Sequence, residues 1–293
     1  MRDTRFSRRK FPSRKMSNAK IYRGRIAPTP SGLLHIGHAQ TFRIACQRAK
    51  ENNGKIILRI EDIDSARCKE EYVNSAIEDL KSIGLDWDEG DDKGGEFAPY
   101  TQSLRLNYYW SLVEKLSEKK CIYPSSVSRM QIKSMGRNPA REFDFCETEQ
   151  IFPEELRSTS QRTSDVENAK NLNWRFAVPN GRVVKFVDNN FGEMEFVAGE
   201  DFGDFLVWRK SAEPSYELAV VADDVAMKIT EVVRGKDLLL STARQILLYE
   251  ALGFDVPEFY HCELLRGENG EKISKSSLLK SGENRWLIRN LHK

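Results

Sequence analysis

The pattern of apolar and polar positions predicts alternating strands and helices in the first part of the chain. Residues 21–27 predict a short strand that leads into a proline-rich turn. A helix follows, and its apolar face has a spacing of three to four residues, at Ala39, Phe42, Ala45 and Ala49. Residues 55–60 predict a second strand, and helical spacing returns around residues 69–83 and 103–119. This strand–helix–strand order predicts a right-handed crossover in a parallel sheet, and therefore an α/β fold.

The middle of the chain has a different character, and we predict an inserted, partly β module over residues 121–203. The segment 157–170 is polar and lacks periodicity, so it predicts a loop. Residues 174–198 predict short strands separated by Asn180-Gly181 and Asn189-Asn190, which are typical hairpin turns.

Strand and helix patterns resume after the module. Residues 205–209 and 216–222 are short apolar runs that predict strands, and residues 237–252 predict a helix that stops at Gly253. A last strand is predicted near 259–265. The expected divisions are a basic arm (1–20), the first half of the sheet domain (21–120), the module (121–203), the second half (204–276) and a short tail (277–293).

Length and composition are those of a soluble globular protein, with 293 residues, 40% hydrophobic and 31% charged. No apolar run approaches the length of a membrane span, so we expect no membrane association. The net charge of +2 hides an asymmetry, because residues 1–20 carry +7 and the remainder carries −5. The electrostatic field of the folded part does not favour the binding of RNA, and this counts against a module whose function is bulk RNA binding.

The amino-terminal segment and the cysteines both indicate a cytoplasmic protein. Residues 1–20 lack the apolar run of a secretory signal. An organellar transit peptide, a disordered basic arm and a start at Met16 remain open, and we favour the last two. Five scattered cysteines form no CxxC pair, which indicates reduced thiols.

A segment with two histidines, His35-Ile36-Gly37-His38, carries the first candidate chemistry. It stands where the first strand gives way to a helix, whose amino terminus favours phosphate. Gly37 allows a flat base to approach the backbone, and two imidazoles can donate hydrogen bonds to phosphate oxygens. The alternative is a pair of surface or capping histidines. We favour the phosphate site, because two of the chain's four histidines occur in this one frame.

A segment with two lysines, Lys272-Ile273-Ser274-Lys275-Ser276, follows the last predicted strand. A loop of this kind can close over a triphosphate, and Lys275 can neutralise the β- and γ-phosphates. Taken alone, the segment is equally typical of a solvated loop. The chain has no G-x-x-x-x-G-K-[ST] pattern, so a P-loop enzyme is excluded.

The two segments resemble the HIGH and KMSKS signatures of class I aminoacyl-tRNA synthetases, with Ile273 in place of the usual Met. Four further segments are similar to the glutamyl-type members of that family: residues 25–32, 59–67, 216–224 and 230–238. The resemblance runs from about residue 21 to 276. It implies a Rossmann-type parallel sheet interrupted by the inserted module, and activation of an amino acid by ATP with substrate-bound Mg²⁺.

Within that family the chain most resembles the glutamyl-Q tRNA(Asp) synthetases, which are stand-alone paralogues of the glutamyl catalytic domain. Val220 fits this group, since full-length glutamyl enzymes tend to carry Asn there. The chain ends 17 residues after Ser276, which leaves no room for an anticodon-binding domain. The resemblance implies activation of L-glutamate without tRNA and transfer of the glutamyl group to queuosine in the anticodon of tRNA(Asp). We expect a monomer.

The same resemblance assigns residues to the two substrates. The catalytic residues are His35, His38, Lys272 and Lys275. The ATP-binding residues are His35, Gly37, His38, Lys275 and Ser276. The glutamate-binding residues are Arg25, Ile26, Ala27, Pro28, Thr29, Glu61, Tyr216 and Arg234. The chemistry agrees, because arginines make bidentate contacts with carboxylates, whereas a carboxylate side chain suits an ammonium group.

Bland alternatives exist for the charged residues. Each arginine alone is equally typical of a surface ion pair, and we assign Asp62, Asp64 and Arg67 to local structural pairing. A site built around a charge pair can reject an analogue that lacks the charge by about 10⁴-fold, which favours glutamate over glutamine.

One family feature is missing from the inserted module. The family usually carries a zinc site there, of the form Cys-x-Cys followed by Tyr and Cys, but the first two positions hold Ser125 and Val127. Cys146 matches the last ligand, and Glu142 stands where the tyrosine is expected. One thiol cannot supply the four ligands of structural zinc. We therefore predict no zinc, and a module held together by hydrogen bonds and packing.

Three other functions remain as alternatives. The first is a truncated glutamyl-tRNA synthetase that charges a tRNA 3′ end. The second is an inactive RNA-binding paralogue, which the intact histidines and lysines of the two signatures disfavour. The third is another nucleotidyltransferase of the HIGH superfamily, which Arg25, Glu61 and Arg234 disfavour.

Overall fold

A computed structural model describes residues 21–146, 148–157 and 170–265. Its helices are α1 (Ile36–Glu51), α2 (Glu70–Ser82), α3 (Leu106–Glu118), α4 (Arg129–Met135), α5 (Tyr216–Ala226) and α6 (Leu239–Leu252). Short 3₁₀ helices span Gln102–Arg105, Glu154–Arg157 and Lys236–Leu238. Its strands are β1 (Arg23–Ile26), β2 (Lys55–Leu58), β3 (Ile122–Ser125), β4 (Asn173–Phe176), β5 (Val183–Asp188), β6 (Gly192–Val197), β7 (Phe205–Arg209), β8 (Glu213–Pro214), β9 (Glu231–Gly235) and β10 (Glu258–Cys262).

Two β–α–β units form the parallel part of the fold. β1 pairs in parallel with β2, and α1 connects them, whereas β9 pairs in parallel with β10, and α6 connects those. The two units lie side by side, because Thr230 N donates to Arg23 O at 2.9 Å and the Arg25 side chain donates to Val233 O at 2.8 Å. This is the Rossmann-type α/β arrangement that the sequence predicts.

An antiparallel sheet with strand order β3-β4-β7-β8 lies in the middle of the chain. The hairpin of β5 and β6 does not belong to it. β5 instead pairs in parallel with β10 through Phe259 and Asp188, so the hairpin extends the parallel sheet. Strand pairing thus connects segments on both sides of residues 120 and 203, and the division into a domain and a module remains a prediction.

Most predicted elements are confirmed, and two details are wrong. Asn189-Asn190 is the turn of a hairpin, but Asn180-Gly181 joins β4 to β5, which are not paired with each other. Residues 216–222, predicted as a strand, belong to helix α5. This helix begins at Ser215, whose hydroxyl accepts from Leu218 N at 3.3 Å. Residues 218–222 are at most 1% exposed, so burial on every side removes the polar positions that mark a helical period.

Two apolar clusters hold the elements together. One packs α1 and α2 against β1 and β2, and it includes Ala39, Phe42, Ala45 and Ala49, the four positions that predicted α1. The other joins α3, α5 and α6 to the antiparallel sheet and the β5–β6 hairpin. α6 ends as predicted at Gly253, whose φ of 76° is unfavourable for other residues. Within the described ranges, no helix is both long and apolar enough to cross a membrane.

Candidate active site

A cavity of about 430 Å³ opens where parallel strands end and α1 begins. The segments that follow β1, β9 and β10 form its walls, and this is where open α/β sheets bind ligands. Nine predicted site residues line it together: Arg25, Ala27, Thr29, His35, Gly37, His38, Glu61, Tyr216 and Arg234. The histidine segment and the predicted glutamate residues therefore face one shared space.

The other predicted site residues have different positions. Ile26 and Pro28 are not among the lining residues, and the Ile26 side chain is fully buried in the core. Their carbonyl groups accept from Arg59 N and Glu61 N at 2.9 and 3.0 Å, so these two residues fix the chain that carries Glu61. Lys272, Lys275 and Ser276 lie outside the described residues.

The two histidines cap the amino terminus of α1. Gly37 N donates to His35 Nδ1 at 3.1 Å, and His35 N donates to His38 Nδ1 at 3.2 Å, which makes a reciprocal capping box. The rings lie 3.8 Å apart between centroids. Capping, the alternative weighed from the sequence, is thus observed, and it coexists with a position on the cavity wall.

Capping also decides where the histidine protons are. Because Nδ1 of each ring accepts a hydrogen bond, the neutral ring carries its proton on Nε2. Each ring can then donate a hydrogen bond through Nε2. The amino terminus of a helix carries a partial positive charge, and together with the two imidazole donors it suits a phosphate group.

Gly37 is required by the first histidine. A Cβ atom at this position would lie 3.0 Å from both Cε1 and Nδ1 of the His35 ring, closer than ordinary contact. A larger residue would therefore require the ring to shift by a few tenths of an ångström. The glycine therefore keeps the imidazole in place, in addition to leaving the backbone open to a ligand.

Arg234 has one nitrogen without a partner. The residue is 4% exposed, Nε donates to His261 Nε2 at 3.1 Å, and Nη2 donates to Thr242 Oγ1 at 2.7 Å. Its buried Nη1 has no hydrogen-bond partner. A buried, unsatisfied guanidinium nitrogen is costly, and a carboxylate in the adjacent cavity would satisfy it.

A buried ion network holds Arg25 and Glu61 in the cavity wall. Arg59 is fully buried and donates to Glu61 Oε1 at 2.9 Å and to Asp224 Oδ1 at 2.6 Å. Asp224 also forms an ion pair with Arg25 Nε at 3.4 Å. Neighbouring Asp223 extends the network, because it accepts from the side chains of Gln102, Arg105 and Tyr109.

The environment shifts two titratable groups of the wall. Burial raises the pKa of Glu61 above its usual range, although Arg59 and Arg25 oppose this effect. Burial raises the pKa of Tyr216 to about 12, so its phenol stays protonated. An ammonium group bound beside Glu61 would act in the same direction as Arg59 and favour the carboxylate form.

The three charged residues assigned to structural pairing divide into two cases. Arg67 pairs with Asp64 at 2.6 Å within one turn, which is local pairing as predicted. Asp62 instead accepts from the backbone N–H and the hydroxyl of Ser103, at 2.8 and 2.6 Å. It thereby fixes the start of the segment that leads to α3.

Arg59, Asp224 and His261 are site residues that the sequence reasoning missed. Arg59 and His261 each interrupt a run of apolar residues at the end of a buried strand, and both are fully buried. A charged or polar residue in such a run requires a buried partner, and this signal could have identified them. Asp224 lies in the buried helix α5 that was predicted as a strand.

Apolar side chains pack around Val127, one of the two positions where the sequence comparison expects a zinc-binding cysteine. Val127 packs with Phe152 and Leu156, and the hydroxyl of Ser125 accepts from Val127 N at 3.4 Å. Across residues 21–146, 148–157 and 170–265, no group of three or more His, Cys, Asp or Glu could hold a metal ion. These residues do not fit zinc.

The sequence profile of the tRNA synthetases class I (E and Q), catalytic domain, matches residues 22–289. The chain belongs to this family. A relative named glutamyl-Q tRNA(Asp) synthetase, from Symbiobacterium thermophilum, is 42% identical over 254 residues, which are 86% of this chain and 77% of the relative. The parallel sheet, the capping histidines and the arginine-lined cavity thus belong to a class I synthetase catalytic domain.

Longer family members match over part of their length. A glutamate–tRNA ligase from Limosilactobacillus fermentum is 38% identical over 89% of this chain and 53% of the relative. The crystal structure of glutamate-tRNA synthetase from Elizabethkingia anophelis has a TM-score of 0.74 at 31% identity, covering 90% of this chain and 54% of that one. The chain therefore spans about half the length of the glutamate–tRNA ligases it matches.

Proposed function

We propose that this protein activates L-glutamate with ATP in the absence of tRNA, and then transfers the glutamyl group to queuosine in the anticodon of tRNA(Asp). We propose further that it acts as a cytoplasmic monomer. One observation carries the first half of the proposal: His35 and His38 at the start of α1 line the same cavity as Arg234, whose buried Nη1 has no hydrogen-bond partner. The two histidines suit a phosphate, and Arg234 suits a carboxylate.

The proposed activation is an in-line displacement at phosphorus. An oxygen of the α-carboxylate of glutamate attacks the α-phosphorus of ATP, a new P–O bond forms, and pyrophosphate leaves with the electrons of the broken bond. Nε2–H of His35 and His38 would donate to the phosphoryl oxygens as their charge grows. Lys272 and Lys275 are proposed to neutralise the leaving pyrophosphate, whose charge Mg²⁺ bound to the substrate shares.

Glutamate recognition is assigned to charged residues of opposite sign. Arg234 offers Nη1 to a carboxylate, and Arg25, held by Asp224 and by Val233 O, adds a second positive charge. Glu61 supplies the negative charge for the ammonium group. Glutamine would leave the buried Arg234 nitrogen with a neutral amide, so we expect strong preference for glutamate.

The identity of the acceptor is supported by relatives. The S. thermophilum relative that shares most of its length with this chain is named for transfer to the Q nucleotide of tRNA(Asp). Transfer to a tRNA 3′ end is the second candidate, because a glutamate–tRNA ligase is 38% identical over 89% of the chain. The two candidates share the activation step and differ in the acceptor alone.

ATP–pyrophosphate exchange tests the activation step. The full chain with Mg²⁺ should exchange pyrophosphate in the presence of glutamate and the absence of tRNA, and glutamine should support no measurable exchange. Arg234→Ala should raise the KM for glutamate far more than the KM for ATP. Absence of exchange from the folded protein would refute the activation, and equal rises in both KM values would refute the role of Arg234.

Labelled glutamate identifies the acceptor. The enzyme should label tRNA from queuosine-containing cells and leave tRNA from queuosine-lacking cells unlabelled, and nuclease digestion should place the label on the anticodon nucleotide. Periodate treatment alone would mislead, because it destroys both the 3′ diol and the cyclopentenediol of queuosine. Label on the 3′-terminal nucleotide would replace the first candidate by the second.

A further inference from the structure

Asp188 and His261 form a buried pair outside the cavity, and His261 contacts Arg234. His261 lies on β10 directly opposite Arg234 of β9 in the strand register. Asp188 ends β5, the strand on the other side of β10. His261 is 0% exposed and Asp188 is 2% exposed, and neither belongs to the residues that line the cavity.

The hydrogen bonds of this pair have one consistent direction. Asp188 Oδ2 lies 2.6 Å from His261 Nδ1, so the carboxylate accepts the Nδ1 proton. The backbone N–H groups of Asn190 and Phe191 also donate to Asp188 Oδ1, at 3.0 and 2.9 Å. With its proton on Nδ1, the imidazole presents a lone pair at Nε2, which accepts from Arg234 Nε at 3.1 Å.

Electrostatics keep the histidine in this neutral form. Burial lowers the pKa of His261 to about 4, with Arg234 and Arg25 acting in the same direction and Asp188 opposing them. A protonated ring would direct an N–H toward the guanidinium and place two positive groups in contact. The neutral tautomer is therefore the one that can hold Arg234.

The pair and one hydroxyl fix the guanidinium plane. His261 Nε2 accepts from Nε of Arg234, and Thr242 Oγ1 accepts from Nη2. The one hydroxyl proton of Thr242 has two acceptors in reach, His261 Nε2 at 3.0 Å and Leu238 O at 3.1 Å. The remaining nitrogen, Nη1, is the one without a partner. A planar group that is held at two nitrogens has the direction of its third nitrogen fixed.

We propose that Asp188 and His261 are positioning residues that set the tautomer of the imidazole and thereby direct Arg234 Nη1 at the carboxylate of the amino-acid substrate. This inference rests on the proposed function. It makes amino-acid affinity depend on the β5–β6 hairpin, which touches neither substrate. Neither residue contacts the cavity, so ATP affinity should not depend on them.

Asp188→Asn is the decisive variant, because it keeps volume and shape but replaces the oxygen that faces His261. Asn Oδ1 can still accept from the backbone N–H groups of Asn190 and Phe191, and from His261 N, which lies 3.3 Å from Asp188 Oδ1. Nδ2 would lose the bond that Oδ2 accepts from His261 N at 3.0 Å, would face His261 Nδ1 and would force the ring proton onto Nε2. That proton would then oppose Arg234 Nε–H, which leaves two donors in conflict. The KM for glutamate should rise about tenfold to hundredfold, and the KM for ATP should change less than about twofold.

Two variants of His261 separate positioning from bulk packing. His261→Leu keeps apolar volume and removes the acceptor, and it should raise the KM for glutamate as Asp188→Asn does. His261→Gln retains an acceptor oxygen for Arg234 and an N–H for Asp188, so it should recover most of the lost affinity. Glu258→Gln, on an exposed position of the same strand, is the matched control and should leave both KM values unchanged.

The test is to measure the KM for glutamate and the KM for ATP in tRNA-free exchange. Both are measured for the wild type and for these four variants of the full chain. Selective rises for glutamate with recovery in His261→Gln support the proposal. An active wild type whose Asp188→Asn and His261→Leu variants lose glutamate and ATP affinity alike, or keep both, overturns the positioning role alone. A wild type without glutamate-dependent exchange overturns the proposed function together with this inference.

Discussion

Two buried clusters of arginine and carboxylate use the same residue types for different ends. In the antiparallel part of the fold, Asp204 accepts from Tyr123 OH, from two nitrogens of Arg157 and from Val178 N, at distances of 2.5 to 2.9 Å. In the parallel part, Arg234 is also buried and lines the cavity, and its Nη1 has no hydrogen-bond partner. The first cluster is saturated, and the second has an open position.

The difference shows how a structural ion cluster can be told from a binding one. A saturated carboxylate leaves no group for a ligand and contributes to folding, whereas an unpaired buried donor costs free energy until a ligand arrives. Arg175 Nε is also unpaired in the antiparallel part, but Arg175 does not line the 430 Å³ cavity. A buried donor without a hydrogen-bond partner indicates a binding site where its residue lines a cavity.

The largest expected effect would come from the capping histidines of the second cluster's cavity. His38→Ala should lower the rate of glutamate-dependent exchange by about 10²–10³-fold, because it removes a preorganised donor to the phosphoryl group. Steady-state exchange kinetics would measure this. Arg43→Ala, an exposed substitution on the same helix, is the control and should retain full exchange. Near wild-type exchange in His38→Ala would remove the phosphate role from this end of the cavity.

Removing the saturated carboxylate should have the opposite signature. Asp204→Ala leaves Tyr123 and Arg157 without their shared partner, and should lower the free energy of unfolding by about 3–5 kcal/mol. The KM values of the folded fraction should stay near those of the wild type. Urea unfolding followed by exchange assays below the transition checks both parts. A selective loss of glutamate affinity would mean that the two clusters are not functionally distinct.

A smaller effect is expected from pH, through His261. Because its pKa is about 4 in the folded protein and about 6.5 in an unfolded chain, the unfolded chain binds more protons between these values. The free energy of unfolding should therefore fall as the pH drops from about 6.5 toward 4. Buried carboxylates with lowered pKa values, such as Asp201 and Glu231, also lower the free energy of unfolding as the pH falls. They do so only in the lower pH range in which carboxylates titrate.

His261→Gln isolates this contribution. The difference between wild type and variant in urea midpoint should change between pH 6.5 and 5, since the variant has no titrating group at this position. Parallel curves over that interval would contradict the assignment of a neutral buried imidazole behind Arg234.

Removal of metal ions is expected to have no effect on the stability of the protein. The packing of Val127, Phe152 and Leu156 occupies the position of the family's zinc site, and the carboxylate of Asp204 ties Tyr123 to Arg157 nearby. A strong chelator should leave the thermal midpoint of the ligand-free protein unchanged, and metal analysis should find less than stoichiometric zinc. A chelator-dependent drop in the midpoint would show that this part of the fold has a metal after all.

The sequence predicts this molecule best where the signal is local. The histidine segment and the four apolar positions of α1 lie within a few turns, and the structure confirms the predicted helix there. The cap that the two histidines form was the alternative that the sequence analysis did not favour. The Asp188–His261–Arg234 chain was not predictable, because it depends on the pairing of β5, β10 and β9, which are far apart in sequence. α5 was mistaken for a strand because complete burial erased its helical period.

A crystal structure of the full chain with a non-hydrolysable glutamyl-adenylate analogue tests the central claim most directly. The account predicts the phosphoryl mimic at the amino terminus of α1 beside His35 and His38, and the side-chain carboxylate within about 3 Å of Arg234 Nη1. A ligand bound with its carboxylate away from Arg234, or with its phosphoryl mimic away from the two histidines, would contradict it.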